Sequence, residues 1–262
     1  MKIQQMNTKW FLMLAILVMA LWSCESKPRY TGPSPVDKMV RDMMDEKTFS
    51  IVLYDMQVDE DKDLYQHKYR ITVNTEDSTA KPKTTDWVNV DEVFFAENLD
   101  NMGLELASKS PDGTIHKVPA PPGFNGYVGN ERYGQWRTDN SGNSFWAFYG
   151  QYMFMSTMFN MMAGPTYRNT YADYQTYRSN PSTRNQPYYG SGNNRYGTNS
   201  PATRASNPNF FQRKQQMQKL SSFKQKVASN PSRYSRSSSS RTSRSTSRTG
   251  SSSRSRGSSF GK

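Results

Sequence analysis

The sequence predicts an α+β fold: a small mixed domain with a short N-terminal helix and antiparallel strands, followed by an apolar helix and a long disordered tail. Three observations favour it. Residues 35–118 alternate between helical and strand spacing of apolar side chains. Residues 145–162 form an uncharged aromatic and Met-rich run. From residue 166 onward Tyr, Asn, Arg, Ser, Gly and Pro dominate, which leaves too little aliphatic surface to offset chain entropy.

The first element is a short helix. Ser34 before Pro35 is typical of an N-cap followed by proline at the first helical position. Met39, Val40 and Met43 would then share one face. The predicted domain therefore begins at residue 35.

Two strands joined by an acidic turn follow. Residues 48–58 are β-branched and aromatic, and residues 65–73 alternate apolar and polar side chains, so both segments predict strands. Asp59, Asp61 and Asp63 between them have the spacing that opens an EF-hand loop. However, the loop positions that need Gly and Glu hold Leu64 and Arg70. A solvated hairpin turn is the favoured interpretation, and a loose Ca²⁺ site is the alternative.

The rest of the predicted domain, which spans residues 35–135, is a hairpin and a loop. Residues 86–95 predict a third strand, or a short helix after one. Segments 104–107 and 114–118 flank Ser-Pro-Asp-Gly, a strong turn signal, and so predict a hairpin. The Pro- and Gly-rich residues 119–135 predict a loop at the domain edge.

Charge divides the chain into two halves. Glu25–Val118 carries 19 acidic and 12 basic residues, whereas Pro119–Lys262 carries 3 acidic and 20 basic residues. Such asymmetry indicates a folded part and a charged tail, here 166–262. Within that tail, residues 209–228 predict a basic amphipathic helix, whose apolar stripe is Phe210, Met217, Leu220 and Val227.

The N-terminus carries a sorting signal. Lys2 and Lys9 precede the apolar run 10–23, which is too short to cross a membrane stably as a helix. The run ends in Leu21-Trp22-Ser23-Cys24, which resembles the lipobox of a bacterial lipoprotein. The resemblance implies that residues 1–23 are a signal peptide and that the chain is cut before Cys24 and lipidated there.

Lipidation at Cys24 has consequences for location and for stability. Lipoproteins of this kind carry two or three acyl chains, which the resemblance implies here, and that number makes anchoring stable. Residues 24–34 would be a tether. Glu25 stands where Asp would act as an inner-membrane retention signal, which favours the outer membrane of the cell envelope. Cys24 is the only cysteine, so no thiol remains for a disulfide.

Catalysis finds no support in the sequence. His67 and His116 lie in separate strand-like segments and at no metal-ligand spacing with one another. No nucleophile elbow, phosphate loop or metalloprotease motif is present in the sequence. The sequence therefore predicts a protein that is not an enzyme, with no cofactor and no metal site.

The segment 136–165 contains the apolar run 145–162, for which three interpretations stay open. The run could be a core helix, a membrane-inserted segment or a partner-binding stripe, since Met-rich surfaces are adaptable. The absence of Lys and Arg argues against an interfacial helix, and five small polar interruptions argue against a single span. The residues predicted to contact membrane or partner are Phe145, Trp146, Met153, Phe154, Met158 and Met161.

The Ser/Arg-rich end predicts either a solvated tail or electrostatic binding to a polyanion. Lipopolysaccharide, anionic lipid headgroups and acidic polysaccharide are the candidate partners, because the guanidinium fork suits phosphate and carboxylate. Nucleic acid is disfavoured because the lipobox places the tail outside the cytosol. The predicted contact residues are Arg233, Arg236, Arg241, Arg244, Arg248, Arg254 and Arg256.

The order of segments resembles that of the YgiB-type bacterial lipoproteins. The matching residues are Ser144-Phe145-Trp146, Tyr152-Met153, Met161-Met162 and the Ser/Arg-rich segment 251–262. The resemblance implies shared architecture over about the last 120 residues and supplies no catalytic residue. The sequence thus predicts a tethered structural or interaction protein whose basic tail binds envelope polyanions. The alternative is an accessory subunit of a membrane channel or transporter, docking through residues 145–162.

Overall fold

The structure, a computed structural model, describes residues 34–59, 62, 64–74, 81–153, 155–156, 165–192 and 195–234, without the side chains of 214–217. The α+β class is confirmed. The described elements before residue 140 are α1 Pro35–Asp42, β1 Phe49–Asp59, β2 Leu64–Val73, β3 Lys83–Thr84, β4 Val88–Val90, α2 Glu92–Glu97, β5 Glu105–Lys109, β6 Ile115–His116 and β7 Gly134–Thr138. Then follow β8 Ser144–Phe148, a 3₁₀ turn Gly150–Tyr152, α3 Arg168–Ser179, α4 Pro201–Ser206, α5 Pro208–Gln212, α6 Lys214–Ser229 and α7 Pro231–Tyr234.

The main sheet is antiparallel, in the order β3-β2-β1-β5-β6, with β4 also paired to β2. The register of β1 and β2 runs from Phe49 opposite Val73 to Asp59 opposite Leu64, so the predicted acidic turn does join two strands. The predicted hairpin also forms, with Lys109 opposite Ile115 in β5 and β6. Strands β7 and β8 make a separate two-stranded sheet.

Both early helices start at the caps that their sequences favour. The Ser34 hydroxyl accepts a hydrogen bond from the Asp37 amide at 3.4 Å, and Pro35 follows at the first helical position. The Asp91 carboxylate accepts from the Phe94 amide at 2.9 Å. Segment 86–95 is therefore β4 followed by the start of α2, the second of its two predicted forms.

The apolar run 145–162 does not begin as a helix, so that part of the prediction is wrong. Residues Ser144–Phe148 form β8, and Trp146 lies opposite Trp136 of β7. The two indole rings pack edge to face, with centroids 5.1 Å apart. A run of aromatic residues fits a pleated strand as well as a helix, and the cross-strand tryptophan pair decides for the strand.

Residues 165–192 and 195–234 are folded, so the prediction of disorder is wrong for residues 166–192, 195–208 and 232–234. Helices α3 to α7 lie in this segment, and they include the helix that was predicted at 209–228, divided at Arg213. Tyrosine and phenylalanine provide the burial that aliphatic residues would otherwise supply, because each aromatic ring removes a large apolar area from water. The buried hydrophobic side chains of this segment are Tyr174, Tyr188, Tyr196, Phe210, Leu220, Phe223 and Tyr234.

Two large apolar clusters result. The first lies between the main sheet and helices α1, α2 and α5 to α7, and here Phe95 contacts Tyr65 and Phe223 with ring centroids 5.0 and 5.8 Å apart. The second, here called the aromatic cluster, joins α3 to the loop after β6 and to β8. Its buried members are Leu104, Ala120, Phe124, Val128, Trp146, Tyr174, Tyr188 and Tyr196.

A β-bulge in β1 receives the C-terminal segment. The β1–β2 register shifts between Leu53 and Asp55, which leaves Tyr54 outside the regular pairing. The Asn207 side-chain amide donates to the Tyr54 carbonyl at 2.7 Å. The Tyr54 carbonyl at the bulge is thus hydrogen-bonded by a side chain that lies 153 residues later in the chain.

The charge asymmetry of the sequence is largely compensated within the fold. Residues 34–234 carry 21 acidic and 23 basic residues, so this part of the chain is nearly neutral. Within it, the basic helices α5 to α7 pack on the acidic N-terminal part. Lys224 of α6, for example, pairs with Asp100 at 2.5 Å. No helix among the described residues is both long enough and apolar enough to cross a membrane.

Candidate functional site

The described surface contains a cleft of about 580 Å³ between helix α3 and the end of β6. This volume lies in the range that small ligands occupy. We call it the α3 cleft. It is lined by Ile115, His116, Lys117, Val118, Phe124, Asn125, Gly126, Tyr171, Tyr174, Gln175, Arg178 and Arg184.

Helix α3 presents one face to the cleft. Counted from Tyr171, the residues Tyr174, Gln175 and Arg178 follow at three, four and seven positions. All four therefore project from the same side of the helix. The Tyr171 and Tyr174 rings both pack edge to face against Phe124, with centroids 5.6 and 5.1 Å apart. These contacts fix the aromatic wall of the cleft.

Arg178 ties the cleft together through main-chain carbonyls. Its guanidinium donates to the carbonyls of Arg184 and Gln186 at 2.8 Å each, and to those of Pro119 and Val118 at 2.8 and 3.3 Å. The guanidinium also lies 5.2 Å from the centroid of the Tyr174 ring. Arg178 therefore joins α3 to two other segments, and its guanidinium donates to carbonyl groups rather than to a carboxylate of the described residues.

A chain of hydrogen bonds leads from the cleft wall to a buried carboxyl group. The Tyr174 hydroxyl donates to Asn125 Oδ1 at 2.5 Å, and Asn125 Nδ2 donates to Glu105 Oε1 at 3.1 Å. The Ser50 hydroxyl donates to Glu105 Oε2 at 2.7 Å. Burial raises the pKa of Glu105, although these hydrogen bonds oppose the shift. Glu105 anchors the loop that carries Phe124 and Asn125.

His116 contacts a serine without forming a catalytic triad. Its Nε2 lies 3.1 Å from Ser110 Oγ, but that hydroxyl donates to Asp112 Oδ1 at 2.7 Å. A triad needs the carboxylate on the other imidazole nitrogen, where it would orient the base. Half-burial lowers the pKa of His116, and Asp112 opposes this shift. The three residues stabilise the β5–β6 turn, as the predicted turn signal requires.

The other histidine is a core residue. His67 is fully buried in β2, and its Nδ1 lies 3.1 Å from the Tyr69 hydroxyl. Its ring packs against Phe94 and Phe95 with centroids 5.6 and 5.3 Å away. Burial lowers the pKa of His67 to about 3, so the imidazole is neutral at physiological pH.

The alternative interpretation of the acidic turn as a loose Ca²⁺ site can be tested only in part. Asp59 ends β1, whereas Asp61 and Asp63 lie outside the described residues. Within the described part of the chain, His, Cys, Asp and Glu side chains form no group of three or more that could hold a metal ion.

Several predicted contact residues lie outside the described residues: Cys24, Phe154, Met158, Met161, Arg236, Arg241, Arg244, Arg248, Arg254 and Arg256. Arg233 is exposed in α7, above the Tyr234 ring at 5.7 Å. Met153 is 61% exposed, as a contact residue should be, and Phe145 is half-buried. Trp146 is only 5% exposed because it packs against Trp136, so its predicted contact with a membrane or partner is wrong.

The α3 cleft was not predicted from the sequence, although the sequence contains a signal for its helix. Tyr167, Tyr171, Tyr174 and Tyr177 are spaced by four, three and three residues, which is helical periodicity. The polar composition around them concealed it, because Asn, Thr, Gln, Asp and Arg occupy most of the positions between and around the tyrosines. Aromatic spacing would have predicted α3 where aliphatic content did not.

Comparison with protein families, with curated proteins and with solved structures finds no match for this chain. The resemblances to lipoprotein signals and to YgiB-type lipoproteins therefore stay predictions.

Proposed function

We propose that the protein is a lipid-anchored structural or interaction protein of the bacterial cell envelope, whose basic C-terminal segment binds envelope polyanions. The observation that carries this proposal is the sequence Leu21-Trp22-Ser23-Cys24 at the end of a short apolar run that follows Lys2 and Lys9. The outer membrane is the proposed location, because Glu25 follows the cysteine.

The distance between anchor and domain supports this arrangement. The described fold begins at Ser34, ten residues after Cys24. An extended chain of that length spans at most about 35 Å. A domain on such a tether stays close to the bilayer surface and can reach lipid headgroups and their attached sugars.

The position of the charge supports polyanion binding. Residues 235–262 follow the last described helix and carry seven basic residues and no acidic residue. The folded part, in contrast, is nearly neutral. Each Arg or Lys near an anionic membrane contributes about 1 kcal/mol, and the contribution fades within a Debye length.

Replacing Cys24 by Ala tests the anchor. The native chain should incorporate palmitate and fractionate with membranes, whereas C24A should do neither. A label that persists in C24A would refute the anchor at this residue.

Neutralising the tail tests the polyanion partner. A variant with Gln in place of Arg236, Arg241, Arg244, Arg248, Arg254 and Arg256 should bind lipopolysaccharide and acidic polysaccharide more weakly and with a shallower salt dependence. The matched control replaces six serines of the same segment by Ala and keeps the charge. Equal loss in both variants would contradict an electrostatic role.

The alternative, an accessory subunit of a membrane protein, has one structural feature in its favour. Tyr149 and Met153 follow β8 and are 40% and 61% exposed, so they offer apolar surface near the predicted docking segment. Met153→Glu should then abolish co-purification with the partner. Met44→Glu is the control, because Met44 is 46% exposed at a different site. Retention of every partner by M153E would refute docking through this surface.

A further inference from the structure

We propose that the α3 cleft binds a short acidic saccharide, a pyranose unit that carries a carboxylate. The inference deepens the proposed function and rests on it for the choice of envelope polysaccharide as the source. It assigns recognition of individual sugar units to the folded domain, beside the non-specific attraction of the basic tail.

The aromatic wall supplies the first half of the recognition. Tyr171 lines the cleft while it is only partly buried, and its ring is held by contacts with Phe124, Tyr174 and Trp136. Burial raises the pKa of Tyr171, so the ring stays neutral. A flat aromatic face of this kind suits the apolar C–H face of a pyranose ring.

Positive charge supplies the second half. Arg178 and Arg184 line the cleft, together with Lys117, which is paired with Asp37 at the rim, and no Asp or Glu is among the described lining residues. Among the described residues, no carboxylate forms an ion pair with Arg178, which donates to four carbonyls instead. A half-buried cation without an anionic partner creates a field that favours an anionic ligand.

Exposed polar groups at the rim can make the specific contacts. Arg184 is exposed beside the cleft and presents the planar fork that binds a carboxylate bidentately. Gln175 is exposed on the same helix face as Tyr171 and can exchange hydrogen bonds with sugar hydroxyls. Helix α3 thus offers the aromatic ring and the amide, and the turn that follows the helix offers the guanidinium.

The cleft lies beside the end of the domain that leads to the anchor. Lys117 of the cleft rim pairs with Asp37, in the first turn of α1, at 2.8 Å. The tether of residues 24–34 enters the fold at that same turn. The cleft therefore lies at the end of the domain where the proposed tether begins.

Titration of the full mature chain with trigalacturonic acid tests the proposal. Binding by calorimetry should be saturable, with one site. Arg184→Gln should weaken it about tenfold, the cost of one charge-assisted contact. Tyr171→Leu should weaken it comparably, whereas Tyr171→Phe keeps the ring and should bind nearly as the native chain does. Arg137→Gln, at an exposed arginine that does not line the cleft, should leave binding unchanged.

Two comparisons separate this proposal from simple charge attraction. The methyl-esterified trisaccharide, which keeps the sugar rings but lacks the charge, should bind at least about tenfold more weakly. The tail variant with six Arg→Gln replacements should still bind the trisaccharide even though it loses long polyanions. Equal binding of acid and ester, native affinity in R184Q, or loss of trisaccharide binding in the tail variant would each overturn the cleft as an acidic-sugar site. The ester comparison and R184Q stay decisive even where Y171L fails to fold.

Discussion

Arg213 donates from Nη2 to Asp55 Oδ1 at 2.7 Å and so joins the C-terminal helices to the central strand β1 across 158 residues of sequence. Asp55 sits directly after the bulge at Tyr54, and its side chain is only 9% exposed. Burial raises the pKa of Asp55, and the Arg213 guanidinium opposes this shift. The pair closes the C-terminal segment over the sheet.

Removing Arg213 should destabilise the fold strongly. Arg213→Met leaves the Asp55 carboxylate buried without its cation, and we expect a loss of about 3 kcal/mol in the free energy of unfolding by urea. The double variant Asp55→Asn/Arg213→Met should recover part of that loss because no charge stays buried. The control is Lys224→Met, which breaks the exposed pair with Asp100 and should cost less than about 1 kcal/mol. Equal losses in R213M and K224M would contradict a buried, energetically important pair.

The bulge contact should carry its own share of the stability. Asn207→Ala removes the donor to the Tyr54 carbonyl, and we expect the free energy of unfolding to fall by about 1–2 kcal/mol. Asn230→Ala, at an exposed asparagine after α6, should cost less than about 0.5 kcal/mol. Hydrogen exchange at β1 should also accelerate in N207A alone.

Truncation distinguishes the observed fold from the one that composition predicts. A chain that ends at residue 234 should keep the cooperative thermal unfolding of the full chain. A chain that ends at residue 165 loses α3 to α7 and uncovers both apolar clusters, so it should bind a hydrophobic dye and lose its cooperative transition. A native-like transition in the shorter chain would mean that the segment contributes nothing to the core.

Stability should fall in acid because of His67. The unfolded chain protonates this imidazole near pH 6.5, whereas the folded chain does so only near pH 3. Its stabilising contribution is therefore complete above pH 6.5 and is lost as the pH falls toward 3, with a loss of about 2 kcal/mol by pH 5.

The variant His67→Phe isolates this contribution. Its free energy of unfolding should vary less between pH 7 and pH 5 than that of the native chain. Burial raises the pKa of Glu105, so its contribution to the free energy of unfolding grows as the pH falls, opposite to that of His67. Glu105 is present in both proteins, so it does not affect the comparison. A pH profile of H67F that parallels the native one would contradict the assignment.

The N-terminal part of the fold was predictable because its signals are local. Ser34-Pro35, the strand alternation in 65–73 and the Ser-Pro-Asp-Gly turn each specify their own conformation, and the structure has all of them. The C-terminal part is specified by distant contacts instead. Tyr174 is buried because its hydroxyl donates to Asn125 and its ring packs against Phe124. Both partners are distant in sequence, so the residues around Tyr174 do not predict its burial.

The candidate cleft was hidden for the same reason. Its walls come from β6, the loop at 124–126 and α3, and only the last carries a periodic signal. From the sequence alone, Arg178 is predicted to be one of many basic residues in a solvated tail. Its four carbonyl partners come from two separated segments, and folding alone brings them together.

The closure of β1 by Asn207 and Arg213 also sets an order of events for the chain. Contacts that join residues more than 150 positions apart cannot form until nearly the whole polypeptide is present, and such long-range closure is slow. For the exported protein proposed above, the sheet would lack its cover while the chain is still being threaded through a translocation pore. Under that proposal, a chain that completes its core only when residues 207–213 arrive would stay unfolded during export and would fold on the far side of the membrane.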